Sequence, residues 1–128
     1  MAYRLHHIHI ITKDLQGMMD FFTDCFDVKQ IAKTKFGNAD GASFDLEGVT
    51  INLRVANENE TFHDGAAGKP YGWHHIGISV DDLDATYRKL TDKGYVFSVP
   101  PKTTDQGVRF AFFDGPESLT FELIQATP

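Results

Sequence analysis

Two stretches of this 128-residue chain are near copies of one another: LHHIHIIT, residues 5–12, and WHHIGISV, residues 73–80. The match continues beyond them. His7-Ile8-His9-Ile10 aligns with His75-Ile76-Gly77-Ile78, and Lys13-Asp14-Leu15 aligns with Asp81-Asp82-Leu83. A repeat constrains the fold more than composition does, because each copy must build the same small unit. Both copies pass from an apolar strand into a helical pattern. Leu15, Met18, Met19 and Phe22 recur at spacings of three and four in the first, and Leu83, Tyr87 and Leu90 do so in the second. Asp14 and Asp82 stand where an N-cap or first-turn acid is favoured, and Gly94 closes the second helix.

Three strand candidates follow each helix. They are VKQIAKT, ASFDL and VTINLRV in the first half, separated by FGNADG and EG. In the second half they are VFSVP, VRFAFF and LTFELIQ, separated by PPKTTDQG and DGPES. Each half therefore reads β-α-β-β-β. The first repeat occupies about residues 1–55, a polar, Gly-rich connector about 56–72, and the second repeat about 73–128. The expected class is α+β, one domain of two modules.

The bulk properties exclude several functions. Apolar content of 41% with eleven Phe is that of a globular chain. A net charge of −6 and a pI near 5.4 argue against a nucleic-acid or anionic-membrane surface, since both attract basic proteins. The opening MAYRLHHIHIITKD lacks the pattern of a signal peptide, and no apolar run approaches the roughly 18 residues of a membrane span, so a cytoplasmic protein is expected. Cys25, the one cysteine, falls among helical apolar residues and reads as a small core side chain.

Strand alternation sorts the polar residues. Ile8 and Ile10 oppose His7 and His9; Ile51, Leu53 and Val55 oppose Thr50, Asn52 and Arg54. In the second half Ile76, Ile78 and Val80 oppose His75, Gly77 and Ser79, while Phe121 and Leu123 oppose Glu122. In VRFAFF, Phe110 and Phe112 are read as the apolar parity, opposite Arg109 and Ala111. One face should thus pack on the helices, and the other collects His7, His9, Asn52, Arg54, His75, Arg109 and Glu122. The separation of His7 from Asn52 is two residues shorter than that of His75 from Glu122, as the longer DGPES turn requires. A sheet covered on one face leaves the other free to curl around a ligand. Two histidines and a glutamate on that face, His7, His75 and Glu122, match a facial triad for a divalent metal with open positions. His6, His74 and His63 fall on the other parity or in the connector and are left out. Phe36, Phe62, Tyr71 and Trp73 lie in loops near the rim.

HIHIITKDL, HHIGISVDDL and the closing FFDGPESLTFELIQ resemble the vicinal oxygen chelate superfamily, which includes glyoxalase I, methylmalonyl-CoA epimerase, extradiol dioxygenases, and fosfomycin- and bleomycin-resistance proteins. The resemblance covers nearly the whole chain. It implies two βαβββ modules forming an open, barrel-like curved sheet with the helices on its outer face. It also implies metal-ligand positions at His7, Asn52, His75 and Glu122. Asn52 departs from the carboxylate usual in glyoxalase I and is assigned to substrate.

The implied cofactor is one divalent ion per site, Fe, Mn, Ni, Co or Zn, acting as a Lewis acid on a substrate with neighbouring oxygens. His9 is a candidate base, with Glu122 the alternative. Arg54 and Arg109 are candidates for pairing with a carboxylate or phosphate. The expected function is a metal-dependent lyase or isomerase acting by proton transfer on a small oxygenated, anionic substrate. The alternatives are an iron(II) dioxygenase using the same triad and a metal-free drug-binding protein of the bleomycin-resistance kind. Exposed edge strands lead to the expectation of a homodimer.

Overall fold

The structure, a computed structural model, describes residues 3–61 and 72–125. Phe62, His63, Tyr71 and most of the connector lie outside the described residues. The chain divides into two compact units, residues 1–63 and 64–128. The first holds β1 (His7–Thr12), α1 (Leu15–Phe26), β2 (Ala32–Phe36), β3 (Ala39–Leu46) and β4 (Val49–Val55). The second holds β5 (Ile76–Ser79), α2 (Leu83–Asp92), β6 (Phe97–Thr103), β7 (Arg109–Asp114) and β8 (Thr120–Gln125). Each unit is one βαβββ module, and the class is α+β.

Each module has its own open four-stranded sheet, in the orders β1-β4-β3-β2 and β5-β8-β7-β6. The first strand pairs parallel with the last, and the remaining pairs are antiparallel. The register makes the two modules equivalent residue by residue. His9 stands opposite Asn52 on the β1–β4 ladder, and Gly77 stands opposite Glu122 on the β5–β8 ladder.

The helices begin where a carboxylate satisfies the open amides of the first turn. Asp14 accepts from the Gly17 amide at 2.9 Å, and Asp82 accepts from the Ala85 amide at 3.0 Å. The Leu83 amide donates to the Gln125 side chain at 2.7 Å, tying the start of α2 to the end of β8. Helix α2 closes through Gly94, whose φ of +97° favours glycine, with the Tyr95 amide on the Leu90 carbonyl.

Helix α1 covers β3 and β4, and α2 covers β6, β7 and β8. Met18, Met19, Phe21, Phe22 and Cys25 are buried with Ala42, Phe44, Ile51 and Leu53 in the first module. Leu83 and Leu90 are buried with Ala111, Phe113, Phe121 and Leu123 in the second. Removing this surface from water at roughly 25 cal/mol per Å² is the main term holding each helix to its sheet. Both sheets keep a second face that the helices do not cover.

The strand limits differ from the sequence reading in several places: VKQI, expected to open the second strand, precedes β2, and β5 begins only at Ile76. FGNADG, expected as a loop, contributes Phe36 to β2 and Ala39, Asp40 and Gly41 to β3, leaving only Gly37 and Asn38 as the turn. Gly37 has φ +61°, the left-handed conformation a two-residue hairpin turn demands. Pro101, expected in a turn, lies with Pro100 inside β6, where the register shifts between Val99 and Lys102. Because β6 is an edge strand, two residues without amide donors are tolerated there.

Candidate functional site

In the second module, His75 and Glu122 converge on the face that α2 leaves uncovered. His75 precedes β5 by one residue, and Glu122 lies mid-way along β8 beside Gly77. The His75 Nε2 stands 3.3 Å from the Glu122 Oε1. Gly77 leaves space here, since a Cβ on it would meet only the Glu122 carboxylate, at 3.9 Å. Phe112 closes one side, its ring edge-on to His75 with centroids 5.0 Å apart. An open depression of about 400 Å³ lies beside this pair, lined by Gly72, Trp73, His74 and His75. Trp73 is 81% exposed at its edge.

Phe112 corrects the expected parity of β7. Ala111 and Phe113 are fully buried against α2, so Phe110 and Phe112 share the face of Glu122. FAFF carries apolar residues on both parities, and sequence alternation cannot choose between them. The β7–β8 register does choose, by placing Phe112 opposite Glu122. Arg109 moves with this correction. It shares the parity of Ala111 and Phe113 and forms a two-pronged ion pair with Asp84 of α2, at 3.0 and 3.1 Å. The guanidinium is drawn to the start of α2 and stands apart from the His75–Glu122 face.

In the first module, His7, His9, Asn52 and Arg54 lie on the uncovered face of the β1–β4 pair, as alternation indicates. The His7 and His9 rings are 6.4 Å apart. Phe36 packs edge-on against His9 at 4.9 Å. It reaches there by crossing Gly41, where a Cβ would sit 2.5 Å from the Phe36 ring and from the Leu53 carbonyl. Arg54 donates to both carboxylate oxygens of Glu60 at 2.7 and 2.8 Å, and the Asn57 amide donates to Glu60 as well. Those hydrogen bonds lower the Glu60 pKa to about 2. Partial burial, with the Arg54 guanidinium and His7 nearby, lowers the His9 pKa below its ordinary value, against an opposing pull from Glu60. His9 is therefore held toward its neutral form, the form that accepts a proton. Glu60, in the connector, carries no motif that would single it out from sequence.

His6 and His74, set aside by parity, touch the expected ligands directly. The Nδ1 atoms of His6 and His7 are 2.9 Å apart, and those of His74 and His75 are 2.8 Å apart. The signal for them was present in the sequence as the repeated His-His doublet.

His75 and Glu122 fit two positions of a divalent ion. Bonds of about 2.0–2.2 Å to nitrogen and oxygen put adjacent ligand atoms on the order of 3 Å apart, close to the spacing seen. Among the described residues no group of three or more His, Cys, Asp or Glu side chains able to hold a metal stands together. No helix among them is long and apolar enough to cross a membrane.

Residues 4–123 match the model of the Glyoxalase/Bleomycin resistance protein/Dioxygenase superfamily. The chain belongs to this superfamily. A curated relative, a probable chloroplastic lactoylglutathione lyase of Arabidopsis thaliana, is 28% identical over 98% of this chain and 36% of its own length. The chain thus spans well under half of that relative, and 45% of the similar Brassica oleracea putative lactoylglutathione lyase. Among solved structures, a glyoxylase/bleomycin resistance protein/dioxygenase domain from Frankia sp. EAN1pec aligns with TM-score 0.78 and 19% identity, covering 99% of this chain and 100% of that one. The fosfomycin resistance protein FosX of Listeria monocytogenes aligns with TM-score 0.76 and 22% identity, covering 99% and 96%. These superfamily structures share the fold.

Proposed function

We propose that this chain is a divalent-metal-dependent enzyme of the glyoxalase-like type. It acts on a small oxygenated, anionic substrate by proton transfer, isomerisation or lyase chemistry. The observation that carries this reading is the approach of His75 Nε2 to Glu122 Oε1, 3.3 Å apart beside Phe112, in a member of this superfamily. An imidazole nitrogen and a carboxylate oxygen at that spacing form a donor set for a cation of the Fe, Mn, Ni, Co or Zn type. His75 and Glu122 supply two of its ligands.

When bound, such an ion supplies Lewis acidity toward neighbouring substrate oxygens. The protein's own groups do the rest. His9 takes the substrate proton on its neutral imidazole, with Glu122 the second candidate for that role. Asn52, opposite His9, offers an amide to a substrate oxygen. Arg54, braced by Glu60, contributes positive charge toward an anionic group. A cytoplasmic homodimer completes the reading.

Elemental analysis of anaerobically purified wild type beside His75→Ala tests it. Close to one equivalent of metal in wild type, with almost none in the variant, is the expected result. Iron together with substrate-dependent oxygen uptake would move the assignment to a dioxygenase. Wild-type protein that stays metal-free after reconstitution overturns the proposal and leaves a drug-binding protein as the better account.

A further inference from the structure

The His-His doublets are built alike in both modules. His6 and His7 meet at 2.9 Å through their Nδ1 atoms, with ring centroids 5.1 Å apart and planes at 85°. His74 and His75 meet at 2.8 Å through the same atoms, at 5.1 Å and 83°. The surroundings are not alike. The first module presents His9 and Asn52 where the second presents Gly77 and Glu122. Phe112 stands beside the His75 ring, whereas the aromatic ring packed in the first module, Phe36, lies on His9. One contact geometry kept in two different settings belongs to the doublet itself.

A neutral imidazole has one donor nitrogen and one acceptor, and rotation about χ2 reverses the direction in which each faces. Holding Nδ1 fixes both choices for the ring: its orientation, and which nitrogen remains for other partners. In His75 the division is complete, with Nδ1 on His74 and Nε2 toward Glu122. Histidines that ligate metals generally need such a partner on the second nitrogen, and losing it weakens metal binding by about 10–100-fold.

From this we infer that His6 and His74 are positioning residues. Each engages the Nδ1 of the following histidine, so that Nε2 of His7 and of His75 is the nitrogen presented to the site. For metal binding, this inference rests on the reading proposed above. The orientation of the rings does not depend on it.

Two measurements on full-length wild type, His74→Phe and His74→Asn separate the two ideas. The first is long-range ¹H–¹⁵N correlation of the histidine rings in metal-free protein, at a pH where the rings are neutral. The second is a Co(II) titration followed by absorbance. His74 is exposed, and an unchanged amide fingerprint checks that the variants fold. Wild type should show His75 with one protonated and one bare nitrogen. His74→Phe should shift the Nδ1 signal, which loses its partner while Nε2 still faces Glu122, and weaken Co(II) binding by about 10–100-fold. His74→Asn, whose amide can donate or accept, should restore both. Wild-type His75 nitrogens that already average, or that do not change in His74→Phe, overturn the inference. Wild type that binds no Co(II) removes the metal reading alone, and the nitrogen signals then decide the positioning role. His6→Phe, read at His7, repeats the test in the first module.

Discussion

Glu122 and Leu123 are neighbours in β8 that face opposite ways: Glu122 approaches His75 on the open face, and Leu123 is fully buried under α2. The same substitution should therefore have opposite consequences at the two positions. Glu122→Ala is expected to abolish measurable Co(II) uptake while changing unfolding free energy by about 1 kcal/mol or less. Leu123→Ala should cost roughly 2–5 kcal/mol through lost burial and the cavity left behind. Urea unfolding and metal titration of both variants give the comparison. Equal destabilisation would contradict the assignment of the two faces.

Gly41 and Gly77 differ in what a side chain would meet. At Gly41 a Cβ would fall 2.5 Å from a main-chain carbonyl and from the Phe36 ring, whereas at Gly77 its nearest neighbour is the Glu122 carboxylate at 3.9 Å. Gly41→Ala should cost about 1–3 kcal/mol by overpacking and displace Phe36 from His9. Gly77→Ala should be neutral or slightly stabilising, since glycine is unfavourable in a strand. Thermal unfolding, with the ring proton shifts of His9, reads both effects.

The Arg54–Glu60 pair predicts a direction with pH. The pKa of Glu60 is about 2 in the folded protein, below its ordinary value of 4.5. A depressed carboxyl pKa stabilises the fold above the unfolded value, and that stabilisation is lost as pH falls through the folded one. Glu60→Gln should accordingly be less stable than wild type at neutral pH. The gap should narrow below about pH 4.5 and close near pH 2. A gap that is constant across this range would show that the ion pair contributes nothing through its charge.

Arg109 pairs with Asp84 at the start of α2, and the Asp84 side chain is 53% exposed. Screening by water keeps such a pair weak. A double-mutant cycle of Arg109→Ala and Asp84→Ala should return only a small favourable coupling. Co(II) affinity should stay at the wild-type level in both single variants. A marked loss of affinity in Arg109→Ala would connect it to the site despite its position.

Much of this protein was legible in order along the chain. The matched histidine strands, the 3-and-4 spacing of Met18, Met19 and Phe22, and the capping aspartates 14 and 82 are local signals. Each element reads them from its own residues, so two βαβββ modules and the faces of β1, β4 and β8 could be assigned from sequence. The remainder depended on contacts between residues distant in sequence. The face of FAFF was decided by the pairing of β7 with β8 and by the room that Ala111 leaves under α2. The partner of Arg109 was decided by where α2 begins, and that of Arg54 by the fold of the chain after β4. The crossing of Phe36 over Gly41 depended on the register of β2 with β3. Periodicity tells a side chain which way to face. Only tertiary packing decides what it meets there, because a guanidinium or an aromatic ring settles on whichever neighbour the assembled sheet brings within reach.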